Sequence, residues 1–394
     1  MKKLLILDSN SILNRAFYGV RYLSAKDGTP TNAIYGFLNI LLKLIKEQEP
    51  DYICAAFDVK APTFRHKQYE GYKAQRKPMP EGLAAQMPLA KDVLRAMGVT
   101  ILEKEGYEAD DIIGTVARLC EESEISCFIA TGDKDDLQLT SDKTKVILTV
   151  TKSGYNETII YDDKAVKEKY HVTPTEFIDV KALMGDPSDN IPGVKGVGEK
   201  TAMSLIEKHH SIEYIYENID GIGLKGAMLQ KMKDGREMAF MSKELATIKV
   251  DCELDYDIND ALVEDMFNSG SYRYIKDLEF KSLLAKFDAS CKAVDEKLVE
   301  YEVSADKNVL DKLYNTISRR DNTDDFAAVH FLWNDTGRVK EEELTLFNVG
   351  MAENDEYVLD GMIFYGCGQE KAYVLMNWGS SFDDDIRKFI DRFM

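Results

Sequence analysis

Over the first 160 residues, short β-rich runs alternate with segments of helical periodicity. The runs are LLILD (4–8), YICAAFD (52–58), VTILE (99–103), CFIATGD (127–133) and KVILTV (145–150). Between them, NAIYGFLNILLKLIKEQ, AAQMPLAKDVLRAMG and DDIIGTVARLCEES repeat apolar residues at the spacing of one helix face. Strand–helix–strand alternation predicts an α/β fold, a mostly parallel sheet covered by helices on both faces. In such sheets, ligands bind beyond the carboxyl ends of the strands. Two runs end in Asp8 and Asp58 and a third runs into Asp133, so three acids are expected at one crevice.

More acids cluster nearby in the chain. GYEADDIIG sets Glu108, Asp110 and Asp111 at the start of a helix. In TGDKDD, Asp133 and Asp135 are two apart and point the same way if the strand persists, with Asp136 opposed. GDPSDNIPG carries Asp186 and Asp189 on a tight loop after a helix. Any one of these reads as a helix cap or turn former. Nine converging carboxylates would repel one another or stay protonated unless cations lie among them. The histidines (His66, His171, His209, His210 and His330) stand apart from the clusters. All-oxygen ligation therefore points to Mg²⁺ or Mn²⁺, two or more ions, rather than zinc. A multi-ion carboxylate site is suited to phosphoryl chemistry.

The substrate signals are basic. VKAPTFRHKQYEGYKAQRKPMP (59–80) holds Lys60, Arg65, Lys67, Lys73, Arg76 and Lys77 against one acid, Glu70, with Phe64, Tyr69 and Tyr72 interleaved. Cations for phosphates and aromatic faces for unstacked bases suit a single nucleic-acid strand. Lys73 and Arg76 share a face if this segment is helical. IPGVKGVGEKTAMSLI (191–206) places Gly193, Gly196 and Gly198 in a tight hairpin before a helix N-terminus, flanked by Lys195 and Lys200. Such a hairpin can grip a duplex backbone without reading its sequence. A dinucleotide-binding reading fails, because helices rather than a strand precede the glycines.

The net charge of −19 does not exclude DNA. Residues 291–394 carry 12 Lys+Arg against 22 Asp+Glu, and residues 1–290 carry 38 against 47, where sequestered metal ligands account for the excess. No apolar run approaches a membrane span, and the run after Lys2 and Lys3 meets Asp8 too soon for a signal peptide. Six cysteines without zinc or redox spacing fit a cytoplasmic protein.

LDSNSILNRAFYG, the 59–80 segment, GYEADDIIGT, TGDKDDLQL and GDPSDNIPGVKGVGEKTA occur in the order and spacing of the bacterial 5′-nuclease family. Residues 1–290 most resemble the N-terminal 5′→3′ exonuclease domain of DNA polymerase I. The resemblance implies a PIN-like nuclease core (1–172) with a helical arch at about 60–97. A helical DNA-binding subdomain (173–288) with a helix–three-turn–helix clamp follows, then a linker (289–300). It implies that Asp8, Asp58, Glu108, Asp110, Asp111, Asp133, Asp135, Asp186 and Asp189 hold the divalent ions, some through water. Lys73 and Arg76 would meet the scissile phosphate, with Tyr72 near the arch. Arg65, Lys67, Lys77 and the Gly193–Gly198 hairpin would contact DNA, with K⁺ at the hairpin carbonyls. The implied substrates carry 5′ flaps, nicks or RNA primers, and the implied protein is a monomer.

Residues 301–394 resemble part of a 3′→5′ exonuclease-like domain of RNase H-like α/β type. The strand FAAVHFLWND lacks the expected Asp-x-Glu metal pair, so proofreading is not expected. Two rivals stand beside the nuclease reading. One is a truncated DNA polymerase I whose reading frame continues past Met394. The other is a non-catalytic, structure-specific DNA-binding module whose acids are structural.

Overall fold

The computed structural model describes residues 2–152, 155–288, 291, 300–308, 310–311, 327–335, 357–366, 371–376 and 381–391. Contacts divide the chain into two units, Met1–Val294 and Asp295–Met394. Apart from Cys291 and Glu300, the linker expected at 289–300 lies outside the described residues.

The first unit opens with β1 (Lys3–Asp8), α1 (Ser9–Gly19), α2 (Asn32–Gln48) and β2 (Tyr52–Ala56). Three helices follow, α3 (Phe64–Gln68), α4 (Glu81–Ala84) and α5 (Gln86–Ala96). Next come β3 (Thr100–Leu102), α6 (Ala109–Glu122), β4 (Ser126–Thr131), a 3₁₀ turn (Asp135–Leu139), β5 (Thr144–Lys152) and β6 (Tyr155–Tyr161). The strands form one sheet in the order β3-β2-β1-β4-β5-β6, parallel except for β6. Strand order reverses between β1 and β4, which opens a crevice at their carboxyl ends. Alternation along β1 supplies both cores: Leu5 and Leu7 pack with α2 and α5, Leu4 and Ile6 with α6. The sequence pattern did not show β6. Its run YNETIIY mixes polar residues with apolar ones, as an edge strand with exposed Ile159 and Ile160 can.

The arch segment is less helical than the sequence suggests. Residues 69–80 form turns and irregular backbone, and Lys73 sits in the left-handed region at φ 53°. No helix face therefore relates Lys73 to Arg76.

Helices α7 (Asp163–Tyr170), α8 (Pro174–Met184), α9 (Glu199–His209), α10 (Ile212–Glu217), α11 (Gly226–Asp234) and α12 (Arg236–Ala246) follow. Apolar residues of α8–α12, among them Val180, Leu183, Ile206 and Met232, form a separate core. The chain then returns to the α/β core. Ile248 and Lys249 cross α6 at Gly114, where a Cβ would lie 2.8 Å from Ile248 and 2.9 Å from the Lys249 carbonyl oxygen. Further on, α13 (Ser269–Asp277) and α14 (Lys281–Leu284) contribute Ile275, Leu283 and, with the residues between and after them, Phe280 and Phe287 to the α2–α5 side. The last part of the expected 173–288 subdomain thus packs on the nuclease core.

The second unit contains β7 (Glu300–Ser304), β8 (Ala327–Asp335), β9 (Tyr357–Gly366), β10 (Lys371–Met376) and α15 (Phe382–Asp391). Its sheet order is β7-β10-β9-β8, with β7 parallel to β10 and the other pairs antiparallel. No helix among the described residues is long and apolar enough to cross a membrane.

Candidate metal centre

Asp8 ends β1 and caps α1. One carboxylate oxygen accepts the Ser11 N–H at 3.1 Å and the other the Thr131 hydroxyl at 2.7 Å. Asp110 lies in the first turn of α6, and Asp136 lies in the 3₁₀ turn after β4. Oxygens from these three side chains lie within 4.8 Å of one another. Asp136 is fully buried, and neither of its carboxylate oxygens has a hydrogen-bond partner. Burial pushes the Asp8 carboxyl up to about 7, against the hydrogen bonds from Thr131 and Ser11. Burial, then the charges of Asp136 and Asp8, hold Asp110 well above the ordinary carboxylate range. Burial and then Asp8 do the same to Asp136. Asp136, buried without a donor beside Asp8 and Asp110, fits a ligand to a hard divalent cation.

Asp58 and Asp133 stand exposed at the mouth of the same site. Asp58 accepts the Ala109 N–H at 2.8 Å, at the start of α6. Asp133 accepts the Asp135 N–H at 3.0 Å. Both line a cleft of about 770 Å³ with Asp8, Glu108 and Asp110, faced by Lys73, Arg76 and Lys77. Arg15 and Tyr18 of α1 line it too, and the sequence reading missed both. Their signal was the position of α1, which leaves directly from Asp8.

The other predicted acids are answered by protein cations. Arg65 meets Asp111 through two 2.7 Å hydrogen bonds, and Asp111 also accepts the N–H groups of Glu108 and Lys249. Asp111 is wholly buried and fully partnered, which leaves it no role as a direct metal ligand. Arg65, expected on DNA, is buried and also donates to the carbonyls of Leu245 and Thr247. It ties the 59–80 segment to the end of α12 and the chain just after it instead.

Glu108 accepts Lys73 at 2.7 Å and the Tyr72 hydroxyl at 2.9 Å. Asp189 accepts Arg76 at 2.5 Å and stands 3.1 Å from the Tyr72 hydroxyl, whose single proton lies between it and the nearer Glu108. Tyr72 is buried against Ile191, Leu245 and Ala246, where it positions the segment. Lys181 bridges Asp135 at 2.6 Å and Asp186 at 2.5 Å. Burial works against ionised Asp186, but Lys181 and Ser188 hold its carboxyl below the ordinary value. Among the described residues, Asp8, Asp58, Asp110, Asp133 and Asp136 form no ion pair, which sets them apart as the cation-seeking group.

The glycine hairpin joins α8 to α9. Gly193, at φ 59°, is buried, and a Cβ there would lie 2.3 Å from the Gly185 nitrogen. Its N–H donates to Ser242 at 3.0 Å, so it closes the loop rather than facing DNA. Lys195, Gly196, Gly198 and Lys200 are exposed, and Gly198 caps α9. Lys67 is exposed on α3, away from the cleft lining.

Two family descriptions match adjoining parts of the chain. Residues 3–171 match the 5′-3′ exonuclease N-terminal resolvase-like domain, and residues 172–268 match the 5′-3′ exonuclease C-terminal SAM fold. DNA polymerase I of Caldicellulosiruptor bescii is 43% identical over 288 residues, 73% of this chain and 34% of that protein. DNA polymerase I of Bacillus subtilis is 41% identical over 285 residues, 72% of this chain and 32% of that protein. The chain thus spans about a third of the length of these relatives. Among solved structures, T5 5′-exonuclease with bound zinc matches at a TM-score of 0.52 and 22% identity, over 70% of this chain and 99% of that one. A bacteriophage T5 flap endonuclease complex with DNA and metal ions matches at 0.52 and 21%, over 71% of this chain and 100% of that one. At these identities the likeness is one of fold.

Proposed function

Because the chain belongs to the 5′-3′ exonuclease family, we propose that it is a structure-specific 5′ nuclease that uses Mg²⁺ or Mn²⁺ to hydrolyse phosphodiesters at 5′ flaps, nicks and RNA primers. The observation that carries this reading is the convergence of four carboxylates without ion pairs, Asp8, Asp58, Asp110 and Asp133, on a cleft whose other wall is basic, with Asp136 buried beside Asp8 and Asp110.

Asp8 and Asp110 would hold one cation, with Asp58 and Asp133 toward a second. Divalent ions bound there would supply an activated water and charge neutralisation at the phosphate. The chain's own groups do the positioning. Lys73 and Arg76 face the acids across the cleft and orient the scissile phosphate by its non-bridging oxygens. The Glu108 and Asp189 carboxylates hold those two cations in place before DNA arrives. Lys195 and Lys200, beside the N-terminus of α9, meet the duplex backbone, with K⁺ as a further proposed ligand at the hairpin. The protein would act as a monomer in the cytoplasm; Cys54, Cys120, Cys127 and Cys252 are free thiols.

The same reading takes residues 301–394 as part of a 3′→5′ exonuclease-like domain without its chemistry. In support, β8 carries the sequence AAVHFLWND, which has no Asp-x-Glu pair.

A 5′-flap duplex labelled at the flap end tests the proposal. Cutting near the junction with Mg²⁺ and none with EDTA is the expected result. Binding without cutting in either buffer would replace it with the non-catalytic DNA-binding module.

A further inference from the structure

We propose that Asp136 is a third protein ligand at the buried end of the cation site, and that it makes one ion resident in the free protein before DNA binds. The inference rests on the nuclease reading above and goes beyond it in naming the ligand and the order of binding.

Asp136 is wholly enclosed, with no donor for either oxygen. The nearest hydroxyl, on Thr131, gives its one proton to Asp8. Neighbouring acids have been given cations by the fold: Asp111 has Arg65, and Asp135 and Asp186 share Lys181. Asp136 has none, and the charges that face it come from Asp8, Asp133 and Asp135. A buried ionised carboxylate persists only when paired or bound to metal. One of its oxygens lies within 4.8 Å of one oxygen each of Asp8 and Asp110, near enough for one ion to touch all three side chains.

Local geometry explains why this acid, rather than Asp135, reaches the floor of the site. β4 stops at Thr131, and the chain enters a 3₁₀ turn at Asp135. The turn replaces strand alternation with about three residues per turn. Asp135 is thereby directed at Lys181, and Asp136 is brought under Asp8. Three carboxylates outweigh one divalent charge, so this end needs no substrate phosphate to hold its ion. At the mouth, Asp58 and Asp133 are exposed, and an ion there gains most when a DNA phosphate joins them.

Mn²⁺ binding to the full chain without DNA, read by electron paramagnetic resonance, tests the inference. Thermal melts with and without Mn²⁺ accompany it. The wild type should hold one tight ion. Asp136→Asn and Asp136→Leu should weaken that ion about tenfold or more and shrink the Mn²⁺-induced rise in melting temperature. Asp135→Asn should leave the tight ion in place. In EDTA, Asp136→Leu should melt no lower than the wild type, because a buried charge without a partner has gone. Wild-type affinity and an undiminished melting shift in either Asp136 variant would overturn the proposal. So would a wild type that binds Mn²⁺ only when DNA is present. That last result, together with Mg²⁺-dependent flap cleavage, would overturn the resident ion while leaving the nuclease reading standing.

Discussion

The Arg65 guanidinium and the Asp111 carboxylate face each other through two 2.7 Å hydrogen bonds, and neither is open to solvent. The pair fixes the start of the 59–80 segment against α6. Removing one partner leaves the other charge buried, a change that costs about 3–5 kcal/mol. Arg65→Ala should therefore lower the urea midpoint strongly, whereas Lys67→Ala should leave it nearly unchanged. Loss of DNA affinity at normal stability in Arg65→Ala would contradict this placement.

Lys73 is held over the cleft by Glu108 and by its own left-handed backbone. Lys73→Ala should slow the single-turnover cleavage rate by roughly a hundredfold, while the dissociation constant for flap DNA changes much less. An unchanged single-turnover rate would remove Lys73 from the reacting phosphate.

Asp8 sets a pH dependence that should reverse with metal. Burial lifts its carboxyl from 3.8 to about 7 in the folded state. Between those values the folded chain binds more protons than the unfolded chain, so this group's contribution to stability falls as pH rises. Its penalty is fully present above pH 7 and absent below the ordinary carboxylate value. In EDTA, the wild type should lose stability relative to Asp8→Asn between pH 5 and pH 8, and Mg²⁺ should cancel most of the loss. Melting curves at both pH values, with and without metal, check the sign.

Lys195 and Lys200 are exposed beside the N-terminus of α9. If each meets one phosphate, its replacement by Ala should reduce the slope of log affinity against log salt by about 0.9. Binding isotherms on a blunt duplex between 50 and 200 mM salt, a range over which such phosphate contacts are felt strongly, read this directly. An unchanged slope would move the duplex off the hairpin.

The strand-end acids were legible because parallel strands put their carboxyl ends together whatever their neighbours. Asp8, Asp58 and Asp133 were found that way, and Asp110 followed from its place in the first turn of α6. Asp136 was read as pointing away, because strand alternation was extended past Thr131 into what is a 3₁₀ turn. Arg65 looked like a DNA contact because its burial depends on Leu245 and Thr247, about 180 positions along the chain. The burial of Tyr72 was missed for the same reason, since the residues that cover it come from the hairpin loop and α12. Lys181, which claims Asp135 and Asp186, carried no local signal at all on its helix.

The most direct test of the account is single-turnover cleavage of a 5′-flap duplex by the wild type and Asp110→Ala in Mg²⁺, with flap binding measured on the same samples. Asp110 joins the buried cation site to the cleft where DNA must lie. Cleavage should disappear in the variant while flap binding stays measurable. Cleavage at the wild-type rate would show that the phosphodiester is broken somewhere other than among these carboxylates.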